Sequence, residues 1–136
     1  CAARYKGSDS SDGAIEYPAS SGMWWTPGEY ASGAKANIDN DSETGKVAVY
    51  HKNSGGSTAE VKTKLPNALG LYDMSGNVWE LTSPIFEFFG KWYYTIRGGS
   101  FFNNNNKYPL RVGQGEWALT VNDVSNEVGF RIVRNH

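Results

Sequence analysis

The apolar positions of this chain never settle into a long repeat. The clearest pattern is Lys91 to Arg97, KWYYTIR, whose aromatic and β-branched residues predict a strand closed by Gly98-Gly99. Val128 to Val133, VGFRIV, alternates and predicts another strand. Val47-Ala48-Val49-Tyr50 and Leu110-Arg111-Val112 are shorter strand candidates, and Glu60 to Lys64 reads as one more extended piece. Pro84 to Gly90 is an apolar, aromatic segment. Residues 7 to 33 hold neither a helical nor a strand period and read as ordered loop pinned by Trp24 and Trp25. Residues 66 to 80 alternate turn formers with large apolar side chains, and Gly70 and Gly76 argue against a regular helix. Asn53 to Ser57, Ser100 to Asn106 and Gly113 to Asn126 read as turn or loop. Cys1 to Tyr5 has helix-forming composition and stops at Gly7, which predicts the last turn of a helix that begins upstream.

Composition narrows the possibilities. The chain has 136 residues, room for one domain, and no repeat or linker divides it. Hydrophobic residues make up 39%, but 5 Trp, 8 Tyr and 6 Phe supply bulk for a core. The 16 Gly predict many turns and few long elements. With 13 Lys+Arg against 14 Asp+Glu, the chain carries neither the basic footprint of a nucleic-acid binder nor a basic face for an anionic membrane. No apolar run approaches the ~20 residues of a membrane span. Cys1 is the one cysteine, so an internal disulfide, a Cys-x-x-Cys pair and a thiolate zinc site are excluded. A Ser-His-Asp triad or multi-histidine metal site would need His51, His136 or both. Asp39, Asp41 and Glu43 alternate as in a calcium loop, yet Gly45 and Tyr50 stand out of step with the glycine and glutamate an EF-hand requires. A solvated acidic turn is the simpler reading.

Four motifs then fall in order along the chain: Cys1-Ala2-Ala3-Arg4, NALGLYDMSGNVWEL from Asn67 to Leu81, Arg97-Gly98-Gly99-Ser100-Phe101, and Val128-Gly129-Phe130-Arg131. Together they resemble the formylglycine-generating enzyme family, also called sulfatase-modifying factors. The resemblance covers the C-terminal half or so of a typical family domain, so residues 1–136 are expected to be the C-terminal portion of one domain. It implies an irregular, loop-rich α+β fold related to C-type lectins. It also implies structural calcium. One site would use Asn37 and the Ile38 carbonyl; a second would use Asp73, Gly76, Val78 and Glu80. Carboxylates mixed with backbone carbonyls suit this ion. A salt bridge is the other reading of Glu80, and Trp79 reads as a core or pocket-wall aromatic.

The resemblance also marks a departure. The family's enzymes carry a copper-binding cysteine pair just after the R-G-G-S motif. Here Asn103 stands at the first position, Asn104 replaces the histidine beside it, and Asn106 to Tyr108 supply no second cysteine. Glu127 replaces an Asn that often precedes the G-F-R motif. Soft copper(I) selects sulfur, so no copper is expected. The expectation is a non-catalytic, calcium-stabilised binding or display module for a protein, peptide or glycan, located outside the cytoplasm in the periplasm or at the cell surface. Its ligand residues would be Asn103, Asn104, Asn105, Asn106, Tyr108, Arg111 and Trp117. A plain polar loop is the other reading of the asparagine run, and Phe101, Phe102 and Trp117 read equally well as core. The alternative function is an oxidoreductase of the same superfamily whose catalytic groups lie outside this chain.

Overall fold

The computed structural model describes residues 2–103, 107–114 and 117–132, with the backbone alone at Ser83, Pro84 and Trp117. Three short strands, β1 (Tyr5–Gly7), β2 (Ile15–Glu16) and β3 (Trp24–Trp25), form a sheet with β3 in the middle. Helices α1 (Asp41–Val47) and α2 (His51–Ser54) follow. A second sheet contains β4 (Trp79–Phe88), β5 (Lys91–Arg97), β6 (Trp117–Thr120) and β7 (Val128–Gly129) in the order β6-β5-β4-β7. This is the loop-rich α+β architecture expected.

The β4–β5 hairpin is its longest regular feature. Phe89 and Gly90 form its two-residue connection, both with positive φ (49° and 73°), as the right-handed twist of the flanking strands demands. The register shifts between Thr82 and Ile85, around Pro84, which has no N–H to give the ladder. Burial is uneven along the hairpin. Thr95 and Ile96 are buried at its base, while Phe88, Phe89 and Trp92 are exposed toward its tip. The core lies elsewhere, where Ala31, Ala34, Ile38, Val47, Ala48, Tyr50 and Leu110 pack together. Much of the aromatic bulk therefore sits outside the core.

Several expected elements differ. Residues 2–4 form a turn and Tyr5–Gly7 is strand, not helix end, because Tyr5 and Gly7 pair with Trp25 and Trp24. Residues 41–47 are helical; the Asn40 side chain accepts the Glu43 N–H at 3.1 Å and caps the first turn. That helix takes Val47 out of the expected strand, and Tyr50, with extended backbone, is the N-cap of α2. Residues 61–62 form a turn in which the Lys62 N–H donates to Asp73. Pro109 opens a 3₁₀ turn, Tyr108–Leu110, in place of a strand at Leu110–Val112. The supposed loop after Gly113 contains β6. The last strand ends at Gly129, after pairing in parallel with Trp79 and Glu80, and Phe130 and Ile132 are exposed.

Candidate functional site

The stretch from Asn67 to Glu80 is held by buried polar side chains in place of regular pairing. Asn67 Oδ1 accepts the N–H groups of Leu69 and Leu71 at 3.0 and 3.1 Å, and its Nδ2 donates to Ala2 O and Ser32 Oγ. The Ser75 hydroxyl donates to Leu110 O at 2.8 Å and accepts the Ser32 N–H at 3.1 Å. Asn77 exchanges both amide hydrogen bonds with Ala59. These bonds satisfy backbone groups that an irregular stretch would otherwise leave unpaired. Gly76 is required here: its φ is +79°, and a Cβ would lie 2.3 Å from Val49 O.

This scaffold opens a cavity of about 450 Å³ on one side of β4. Asp73, Gly76, Val78 and Glu80 all line it, so the four residues of the expected second calcium site do come together. A guanidinium already stands among them. Arg131 Nε donates to both Glu80 oxygens at 3.1 Å, and Nη2 donates to Glu80 Oε1 at 2.5 Å, Tyr72 O at 3.0 Å and Asp73 O at 3.4 Å. The pair raises the Arg131 pKa further, through the Glu80 hydrogen bonds first. The oxygen types are those calcium takes, but the Glu80 carboxylate is already neutralised by Arg131. Asp73 Oδ2 also accepts the Lys62 N–H at 2.9 Å. As arranged, with Arg131 in place, these residues do not fit the ion. Asn37 and Ile38 are likewise engaged: Asn37 Oδ1 accepts the Asp39 N–H at 3.2 Å, and the core residue Ile38 gives its carbonyl to Thr44 at 3.3 Å.

A second cavity, of about 200 Å³, lies between the start of β4 and the turn at Tyr108–Leu110. Met74, Trp79, Pro109 and Val112 give it apolar walls, and Glu80, Arg97 and Arg111 contribute charge. Trp79 is thus both buried and a pocket wall. The Arg111 guanidinium stacks on the Tyr108 ring, 4.1 Å from its centroid. Its Nε is buried and has no hydrogen-bond partner. Arg97 differs, since its Nη1 donates to Gln114 O at 2.8 Å.

The loop that carries Arg111 is tied down on both flanks. The Asn103 side chain accepts the Ser100 N–H, and the Ser100 hydroxyl donates to Glu127. Glu127 O accepts the Trp79 N–H at 2.7 Å, so this residue joins the R-G-G-S segment to β4. On the other flank, Lys107 Nζ reaches Asp41 at 2.8 Å, beside Lys52 and the Tyr50 hydroxyl. Lys107 first, then Lys52, holds the Asp41 carboxyl well below the usual range. Burial first, then Asp41, pushes the Tyr50 phenol up to about 12.

Of the expected ligand residues, Tyr108 and Arg111 meet directly and Asn103 serves the turn. Asn104, Asn105 and Asn106 lie outside the described residues, and Trp117 is described by its backbone in β6. Phe101 is buried and Phe102 exposed. Sequence reasoning missed the role of Arg131, although its motif was noted, and the parts played by Arg97, Asp41 and Lys107. Lys107 gave no signal, because its partner Asp41 lies 66 positions away on α1.

Comparison with known proteins agrees with this architecture. Among solved structures, the chain is similar to Treponema denticola variable protein 1, with 28% identity and a TM-score of 0.60 over 77% of this chain and 40% of that one. It is also similar to the crystal structure of CarF, with 32% identity and a TM-score of 0.51 over 63% of this chain and 32% of that one. The chain thus spans less than half the length of either. No curated protein sequence matches it significantly. The sequence profile of the sulfatase-modifying factor enzyme 1-like domain matches residues 7–136. With that match across nearly the whole chain, on an irregular α+β fold related to C-type lectins, the protein belongs to the sulfatase-modifying factor family.

Proposed function

We propose that this domain is a non-catalytic member of its family, a binding or display module for a protein, peptide or glycan. The observation that carries the reading is Asn103. It stands where the family resemblance places the first copper-binding cysteine, and its side chain is committed to the Ser100 N–H. A hard amide oxygen tied into a turn is no substitute for a thiolate toward copper(I). Around it, Tyr108 is exposed and Arg111 lines an apolar cavity, a mixture of aromatic area and hydrogen-bond donors that suits recognition. The name of the Treponema relative, a variable protein, accords with a recognition surface carried on a constant scaffold.

Two measurements test it. Copper(I) titration and metal analysis of the purified protein should show no stoichiometric redox metal. Peptide and glycan arrays probed with the chain should give hits that the double variant Tyr108→Ala, Arg111→Ala loses while its thermal unfolding stays cooperative. Stoichiometric copper or iron would overturn the reading in favour of a redox enzyme, and hits indifferent to the double variant would move the surface elsewhere.

A further inference from the structure

We propose that the cavity beside Arg111 recognises a carboxylate, carried by an Asp or Glu side chain of a peptide or by a small free dicarboxylic acid. This rests on the reading of the domain as a binding module and names the chemistry of that site. Arg111 is set apart from the other described arginines. Arg4 donates to Thr26 O, Arg97 to Gln114 O and Arg131 to Glu80, whereas Arg111 has its Nε buried without a partner. No ion pair among the described residues engages it either. A buried N–H on a charged group is costly to leave unpaired, so the free protein holds a binding capacity it does not use.

The surroundings say what would use it. Tyr108 supports one face of the guanidinium, and Arg111 lines the cavity; a planar guanidinium can match the two oxygens of one carboxylate with two parallel N–H groups. The walls are mostly apolar, which strengthens a charge–charge contact formed between them. Glu80 lines the same cavity but is neutralised by Arg131, so it does not cancel the positive charge. Size sets the upper limit. About 200 Å³ is below the ~300–1,000 Å³ of a drug-sized pocket and suits one side chain. A phosphate or sulfate would need more donors than one free arginine supplies, because Arg97 is already engaged.

The test is a titration followed by NMR of the arginine Nε–H and tryptophan indole N–H signals, with Arg111→Lys assigning the Arg111 resonance. The probes are the blocked peptide acetyl-Gly-Glu-Gly-amide, its Gln counterpart, glutarate and inorganic phosphate. The Glu peptide should shift the Arg111 and Trp79 signals with millimolar affinity, roughly tenfold tighter than the Gln peptide. Arg111→Gln should abolish the Trp79 shift, and Tyr108→Leu, which keeps the guanidinium but removes its platform, should weaken binding several-fold. Binding of glutarate without the Glu peptide would assign the source as a free acid. Equal binding of the Glu and Gln peptides at these signals would overturn the carboxylate and leave the binding surface standing. Tighter binding of phosphate, or no shift with any probe, would overturn the proposal, while the array experiment decides the broader reading separately.

Discussion

Arg131 donates to both oxygens of Glu80 and to two backbone carbonyls, whereas Arg111 lies on a tyrosine ring with its Nε unpartnered. The two cavities they border share Glu80 as a common wall. On one side, a tethered cation closes the site from within, since Arg131 itself gathers the oxygens of Glu80, Tyr72 and Asp73. On the other, the cation is held ready and left unspent. The difference teaches that a charged cavity is not by itself a site. What matters is whether its charge is already matched inside the fold.

The comparison breaks first at Gly76, which fixes the loop leading into Glu80. Gly76→Ala forces a Cβ onto Val49 O and should cost about 3 kcal/mol or more. Denaturant unfolding checks it; a loss under about 1 kcal/mol would mean the loop adapts and Glu80 is not prepositioned. Next comes Arg131→Met. The pair is bidentate but partly exposed, so the expected loss is about 1–2 kcal/mol, or roughly 4–8 °C in Tm. Arg111→Met should cost no stability and should tend to raise it, because it removes a buried N–H that has no partner. Equal losses at the two arginines would erase the contrast drawn between them.

Calcium sharpens it further. Millimolar calcium should leave the Tm of the wild-type chain unchanged, and Arg131→Met should gain a calcium-dependent rise that Glu80→Ala in the same background removes. A rise of equal size in the wild type would show that the ion displaces Arg131. The smallest effect is at Asp41, whose lowered carboxyl helps hold the Arg111 loop through Lys107. Its folded-state pKa lies below the unfolded value, so its stabilisation is complete above ~pH 4 and drains as pH falls through the lowered value. Asp41→Asn should therefore lose less stability than the wild type between ~pH 4 and pH 2. Parallel acid unfolding curves would remove Asp41 from the loop's support.

Some of this was legible in the residues. The strand at Lys91–Arg97 could be bounded correctly because its aromatic and β-branched run is flanked by glycines. Its partner β4 was harder, since Pro84 interrupts the segment and the bulge there breaks the alternation. Helix α1 was hidden by its own charges. Asp41 and Glu43 looked like a cation loop, although Asn40 and Glu43 have the spacing of a helix start. The calcium-type residues do meet in one cavity, as the motif implies, but the pairing that decides their role joins Glu80 to Arg131 across 51 positions. Local pattern carries no record of such a contact. The same holds for Arg111: its type was visible, while its want of a partner exists only in three dimensions.

The Ser75 hydroxyl has a kinetic consequence. It links Ser32 to Leu110, bridging partners 43 and 35 residues away, and Asn67 reaches back 65 residues to Ala2. Bonds of this span reward the chain only after large loops have closed, and loop closure must be paid for in entropy beforehand. A domain stitched in this way gains little from partial assembly. It should fold slowly for its size, on the millisecond-to-second scale of other non-local topologies, and lose its buried polar stitches together when it opens.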